Sequence, residues 1–425
     1  MSALATALKR LGDEVTGADR TLGTPNIRFL ESIGVRCFPD DGSGVDAATD
    51  EVVVSTAIED DNPGLARAKE LGIPVVHRAK ALARALADYK LVAVVGTCGK
   101  STVTAMLGHV LAECGMDPMC VNGANVPGWE GAVRMGRGAY AVAEVDESDK
   151  SLVAFKPYAA IVTNASADHY SKEEMDEVFD AFVKGMPGPL VDGRSTGELF
   201  EFLRLSDCLD LNVPVPGKHN LQNAQLAAAM AVKLGCDPVA VKTAISTFKG
   251  VERRLQRIYP SNQTLKPSNP QTFKPSLPPP AVYDDYAHNP EKLKAMWTTL
   301  AEAYPQGICV VWRPHGYAPL RKMMDALAAM FNETVRPCDR LLLLPVYDAG
   351  GTTDRSVNSD ALFAKLAPGK AVMVPDLDAA YAWMDAHRGS FAALATCGAR
   401  DPGLPVLARR LADLVQAPCQ AGKAV

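Results

Sequence analysis

The chain has 425 residues, 48% of them hydrophobic and 22% charged, which is the make-up of a folded globular protein and excludes disordered or fibrous architectures. With 44 Lys+Arg against 49 Asp+Glu the net charge is -5 and no basic run is present, so no nucleic acid is expected as a partner, although a local basic pocket could hold a small anion. No stretch approaches the roughly 18 consecutive apolar residues of a membrane span, so no membrane insertion is expected. Ten cysteines without a CxxC pair read as the reduced thiols of a cytoplasmic protein with neither zinc site nor disulfide framework.

Residues 2–11 (SALATALKRL) carry helical periodicity and end at Gly12; Glu14–Ala18 then read as a strand that stops at Asp19. Val52–Ser55 is a second strand, closed by the turn-prone Asp60-Asp61-Asn62-Pro63. Leu65–Leu71 follows as a helix and Ile73–Val76 as an extended segment. A parallel sheet ordinarily opens on a strand that feeds its first helix. A chain that begins inside a helix therefore predicts a further strand and a Gly-rich turn upstream of Met1.

A second unit starts at Leu91–Val95, the unbroken apolar run of a strand buried on both faces. It continues through a helix over 101–114, strands at Ala141–Glu144 and Ala159–Thr163, and a helix at Leu221–Leu234. A third carries the strand-like runs Cys309–Trp312, Leu341–Pro345 and Ala371–Val374, each followed by a helical segment. This alternation predicts an α/β protein with mostly parallel sheets and three domains, 1–87, 88–248 and 249–425. Residues 259–280 break the pattern with seven prolines, no acidic residue and the tandem octads QTLKPSNP and QTFKPSLP. Such a composition buries too little apolar surface to offset ordering entropy. It predicts a surface insertion whose deletion leaves stability and turnover nearly unchanged.

The sharpest chemical signal is Gly96-Thr97-Cys98-Gly99-Lys100-Ser101, which follows the apolar strand and opens a helix. Glycines let backbone N–H groups face an anion, the helix start adds partial positive charge, a Lys reaches terminal phosphates and a hydroxyl binds Mg²⁺. Val94 occupies the position of the first Gly in the longer G-x-x-x-x-G-K pattern. Two polar clusters follow strands of the same unit, Glu144-Val-Asp146-Glu147-Ser148-Asp149 and Thr163-Asn164-Ala-Ser-Ala-Asp168-His169. Ligands collect at such strand ends in parallel sheets, and a nucleotide site needs groups of this kind to hold its metal.

Together these segments resemble the Mur ligases, ATP-dependent amide-forming enzymes of peptidoglycan precursor synthesis, and among them the alanine-adding branch. The loop is similar to the family's G-T-x-G-K-[ST] form, Glu144–Asp149 to its E-x-D-E-S-D motif, and Val162–His169 to T-N-x-x-x-D-H. Gly217-Lys-His219-Asn220-Leu-Gln-Asn223-Ala224 resembles G-x-H-N-x-x-N-A, Arg253-Arg254 the domain-boundary arginines, and Asp284-Asp285-Tyr286-Ala287-His288-Asn289-Pro290 the D-D-Y-A-H-x-P motif. Six motifs in the family's order are far more specific than any one of them.

The resemblance implies a Rossmann-like N-terminal domain for a UDP-sugar, lacking its first strand, a central P-loop ATPase domain, and a Rossmann-like C-terminal domain for the amino acid. ATP and Mg²⁺ are the implied cofactors, and a UDP-linked muramoyl carboxylate with an amino acid (L-alanine first) or a short peptide the implied partners. The carboxylate would attack the γ-phosphate to form an acyl phosphate and ADP, and the amine would then displace phosphate. Gly96, Thr97, Gly99, Lys100, Ser101 and Thr102 would cradle the phosphates, with Lys100 on the terminal ones. Ser101, Glu144 and His169 would hold metal, and His219, Asn220 and Asn223 would lie by the nucleotide. Arg254, Asp285 and His288 would reach phosphates or ribose from the third domain.

Several positions depart from the family. Cys98 stands where the alanine-adding branch has His, and Asn289 where it often has a second His; the stretch 185–216 is short. Trp312–Tyr317 and Tyr347–Gly351 match the acceptor-side segments only partly, and Gly398-Ala399-Arg400-Asp401-Pro402 replaces a glycine-rich turn without an implied role. The competing classes are a nucleotide-binding relative that does not ligate and a dinucleotide dehydrogenase; the latter needs a G-x-G-x-x-G that the chain lacks.

Overall fold

The computed structural model describes residues 1–146, 151–165, 172–259, 279–348 and 354–416. Asp168, His169, Glu147–Asp149 and the proline-rich octads lie outside the described residues. Two compact units divide the chain, Met1–Pro214 with His219–Val251, and Val215–Lys218 with Glu252–Val425.

The first unit opens with α1 (Ser2–Leu11), β1 (Thr16–Asp19), α2 (Pro25–Ser32), β2 (Arg36–Pro39), β3 (Val52–Val54), α3 (Pro63–Leu71), β4 (Val75–His77) and α4 (Arg78–Ala85). β1 pairs with β2 and β3 with β4, both in parallel. β1 starts at Thr16, two residues later than the expected Glu14, because Asp13 N–H still caps α1 through the Leu8 carbonyl at 3.1 Å.

A six-stranded sheet follows. Its strands are β5 (Lys90–Val95), β6 (Met119–Val121), β7 (Val133–Arg134), β8 (Tyr140–Glu144), β9 (Ala159–Val162) and β10 (Leu190–Asp192), in the order β10-β9-β5-β8-β6-β7. Only the short β7 runs antiparallel to its neighbour. Around the sheet lie α5 (Lys100–Glu113), α6 (Lys172–Val183), α7 (Thr196–Leu205), α8 (Lys218–Lys233) and α9 (Pro238–Ser246). β5 sits at the centre because its side chains are apolar on both faces. Leu91, Ala93 and Val95 pack with Leu4 and Ala7 of α1, Leu82 of α4 and Phe179 of α6. Val92 and Val94 alternate to the opposite face, and α5 packs on β8 and α9.

The second unit contains a second six-stranded sheet. Its strands are β11 (Gln256–Tyr259), β12 (Ala281–Asp285), β13 (Ile308–Trp312), β14 (Arg340–Leu343), β15 (Ala371–Met373) and β16 (Ala393–Cys397). The order is β11-β12-β16-β13-β14-β15, antiparallel only at the β11 edge. One face is covered by α10 (Pro290–Ala303), α11 (Tyr317–Thr334) and α12 (Ser359–Phe363), whose Trp297, Leu327, Phe331 and Leu362 are fully buried. The other carries α13 (Leu377–His387) and α14 (Gly403–Gln416) through Ala380, Met384, Leu404, Leu407 and Leu411. The unit is thus a three-layer α/β/α sandwich with β16 inserted between β12 and β13. Among the described residues no helix is long and apolar enough to cross a membrane.

Candidate functional site

β5 ends at Val95 and the chain turns through Gly96-Thr97-Cys98-Gly99 into α5. Gly96 and Gly99 hold φ of +126° and +86°, and a Cβ at Gly99 would lie 2.5 Å from Asn223 Oδ1, so both positions require glycine. Strand register brings the other groups in. β9 sets Val162 beside Val95 and β8 sets Glu144 beside Val94, so the segments leaving both strands flank the loop.

Asn164 braces that loop with both ends of its amide. Its Oδ1 accepts from Thr97 Oγ1 at 2.6 Å and from Cys98 N–H at 3.0 Å, while its Nδ2 donates to the Cys98 carbonyl at 2.9 Å. Thr163 Oγ1 donates to the same carbonyl at 2.7 Å. Lys100 Nζ donates to the Gly96 carbonyl at 2.7 Å, which folds the ammonium back over the loop. The first turn of α5 contains no acidic residue, so the start of the helix and Lys100 set a positive local field suited to phosphate.

Glu144 is half-buried at the end of β8, and Gly123 N–H, just beyond β6, orients it by donating to Oε2 at 2.8 Å. Ser101 and Thr102 are buried in the first turn of α5. A hydroxyl and a carboxylate are hard oxygen donors and fit Mg²⁺, which commonly takes one or two protein oxygens and completes its shell with phosphate and water. Among the described residues no three His, Cys, Asp or Glu side chains converge to hold a metal unaided. On α8, Asn220 and Asn223 are buried and joined at 3.4 Å, with Asn223 against Gly99. His219 precedes them, its imidazole pulled below the ordinary histidine range by burial.

Arg254, Asp285 and His288 belong to the second unit. Both oxygens of Asp285 accept backbone amides, from Leu255 at 2.5 Å and Ala287 at 2.7 Å, and burial raises its carboxyl to about 6. It therefore shapes the backbone on either side of it. Arg254 lies over the Tyr286 ring at 5.2 Å. His288 Nδ1 sits 2.9 Å from the Tyr286 carbonyl, an acceptor that selects the Nδ1–H tautomer. Its ring meets His315 edge-on at 4.9 Å, and His315 is pushed down to about 4 by burial and then by the charges of His288, Arg400 and Lys292. Asn289 is the N-cap of α10, accepting from Lys292 N–H at 2.9 Å. Arg253 adopts φ +58° and donates to Asp284 at 3.1 Å and to the Gly398 and Ala399 carbonyls; Thr396 Oγ1 completes that buried group at 2.6 Å from Asp284.

The structure thus gathers Gly96, Thr97, Gly99, Lys100, Ser101, Thr102, Asn223 and, across the strand ends, Glu144 in one unit. The structure also gives specific functions to groups beyond the candidate list: in the first unit Asn164 and Thr163 brace the loop and Gly123 orients Glu144, and in the second unit Arg253 pairs with Asp284. The Thr163-Asn164 pair was visible as a motif, but its bracing function follows only from the register of β9 on β5.

The sequence matches two family profiles, "Mur ligase family, catalytic domain" over residues 1–90 and "Mur ligase, glutamate ligase domain" over residues 272–400. It is 33% identical over 424 residues to a UDP-N-acetylmuramate–L-alanine ligase of Rubrobacter xylanophilus, covering 89% of this chain and 90% of that one. A protein of the same name from Sinorhizobium medicae is 30% identical over 421 residues, with 86% and 84% covered. In fold, the chain is similar to the UDP-N-acetylmuramate-alanine ligase of Thermotoga maritima (TM-score 0.77, 24% identity, 98% and 96% covered). It is also similar to a murein peptide ligase of Psychrobacter arcticus (TM-score 0.64, 18% identity, 98% and 97% covered). With identity at this level maintained along most of both chains, the protein belongs to the Mur ligase family.

Proposed function

We propose that the protein is an ADP-forming, ATP-dependent ligase of peptidoglycan precursor synthesis that joins L-alanine to UDP-N-acetylmuramate in the cytoplasm. Residues 1–87 take the UDP-sugar, 88–248 the nucleotide and 249–425 the amino acid. The observation that carries this reading is the braced P-loop between Glu144 and Asn164, in a chain similar throughout to alanine ligases.

Lys100 and the first amides of α5 neutralise charge on the terminal phosphates as the muramate carboxylate attacks the γ-phosphorus, and phosphoryl transfer is mainly such positioning and neutralisation. Ser101 and Glu144, with His169, are the residues to hold Mg²⁺, which when bound offsets phosphate charge. Asn220, Asn223 and His219 lie beside the nucleotide. The acyl phosphate then meets the amine, which attacks as the free base; C–N bond formation expels inorganic phosphate. Arg254 and His288 contact nucleotide groups from the C-terminal unit, and Asp285 acts by holding their backbone.

Phosphate release across a matrix of UDP-muramoyl acceptors and amines, with mass analysis of the product, tests the proposal. Turnover that requires both UDP-N-acetylmuramate and L-alanine and yields their amide is the expected result. A short peptide in place of alanine would move the specificity. ATP hydrolysis indifferent to every acceptor and amine would leave only a nucleotide-binding relative.

A further inference from the structure

The turn Gly398-Ala399-Arg400-Asp401 leaves β16 between the ends of β12 and β13, and the motifs above give it no role. Almost every polar group of this turn is engaged. The Gly398 and Ala399 carbonyls accept from Arg253, and Gly398 N–H donates to the Asp285 carbonyl at 3.1 Å. Asp401 is buried, with Oδ2 on Arg313 at 2.7 Å and Oδ1 on Gly403 N–H at 2.8 Å. Arg400 is the exception. It is exposed and, among the described residues, forms no ion pair or hydrogen bond.

Its guanidinium is nonetheless placed. A Cβ at Gly316 would lie 4.0 Å from Arg400 Nη1, within van der Waals contact, so the guanidinium stands over Gly316, the N-cap of α11. The His288–His315 pair is adjacent, and the charges that bear on His315 are those of His288, Arg400 and Lys292. The two carboxylates next to this turn are already engaged, Asp285 by two backbone amides and Asp401 by Arg313. A rigid turn therefore presents a lone guanidinium, beside two imidazoles, at the carboxyl ends of parallel strands. A planar fork of that kind matches a singly charged carboxylate. A triphosphate asks for several cations or a helix-start loop, which this chain provides around Lys100.

We propose that Arg400 binds the α-carboxylate of the incoming amino acid and makes the enzyme select amines that carry one. This deepens the ligase reading above and rests on it. The test compares wild type, Arg400→Ala and Arg400→Lys with L-alanine and with L-alaninamide, measuring KM for each amine and for ATP, with melting temperature as the folding control. Losing a charge-assisted hydrogen bond predicts that Arg400→Ala raises the KM for L-alanine by roughly tenfold or more and leaves that for ATP within about twofold. The same variant should treat alaninamide as wild type does, so the preference for acid over amide collapses, and Arg400→Lys should restore part of it. An unchanged KM for L-alanine, or a rise confined to ATP as expected of a phosphate contact, overturns the proposal while the ligase reading stands. A wild type that forms no amide from any amine removes that reading and this proposal with it.

Discussion

At the end of β5 the loop is braced mainly by neutral groups, whereas at the ends of β12, β13 and β16 the chain is held by ion pairs with buried carboxylates. Asn164 and Thr163 fix the P-loop through amide and hydroxyl contacts, so the positive field there comes from the start of α5 and Lys100. In the second unit the buried carboxylates of Asp284 and Asp401 are paired with the half-buried Arg253 and Arg313. A site that binds phosphate with backbone amides needs a loop of set shape, and neutral braces supply it without adding charge. A site that works through side chains must keep its own carboxylates from neutralising the cations it presents, and burying each one against an arginine or a pair of amides does that.

The largest expected effect lies where the phosphate charge is met. Lys100→Ala and Glu144→Ala should each lose at least roughly a hundredfold in turnover while retaining the wild-type melting temperature. Wild-type rates in both variants would break the assignment of the neutral-braced site to catalysis. In the other unit the strongest response should be in stability. Arg253→Ala leaves the Asp284 carboxylate buried without its partner, which should cost about 3–5 kcal/mol in urea unfolding. A loss under about 1 kcal/mol would mean that the pair behaves like a surface one and that the contrast with the P-loop is unfounded.

Asn164→Ala sharpens the comparison from the neutral side. Three hydrogen bonds to the loop disappear, and an unbraced loop should raise the KM for ATP by about tenfold with a stability loss of about 1–3 kcal/mol. Titration gives a smaller effect with a defined sign. The Asp285 carboxyl is raised from 3.8 to about 6, so its contribution to stability is full below pH 3.8 and is lost as pH rises through 6. His315 is lowered from 6.5 to about 4, so its contribution is full above pH 6.5 and is lost as pH falls through 4. Between pH 4 and 6 the two slopes oppose each other. His315→Gln should therefore make stability over that interval rise less, or fall more, with pH than in wild type, the buried His219 contributing equally to both, and an unchanged slope would contradict the burial of His315.

The P-loop was legible because its glycines, Lys100 and Ser101 are consecutive and lie between a buried strand and a helix, so local chemistry alone defines it. The α/β class and the parallel sheets followed from the same alternation. What was not legible depends on pairing between distant segments. Thr396 joins Asp284 across 112 residues and Arg253 across 31 from it, and no local pattern announces that contact. β16 escaped notice because its five residues, ALATC, are small and mostly apolar without the branched run that marked β5. The strand expected over Leu341–Pro345 ends at Leu343; Leu344 N–H still donates to the Trp312 carbonyl at 3.1 Å, and Pro345 has no N–H to carry the ladder further. Arg400 was visible only as a departure, since its placement over Gly316 requires the fold.

The central claim is that the site at the end of β5 activates a carboxylate with ATP before the amine arrives. UDP-N-acetylmuramate labelled with ¹⁸O in its carboxylate tests this directly. If that oxygen attacks the γ-phosphorus and the amine later breaks the acyl C–O bond, one labelled oxygen must leave in the inorganic phosphate for each amide formed. Mass analysis of the phosphate should show that transfer with wild type. Amide formed with unlabelled phosphate would contradict the acyl-phosphate route.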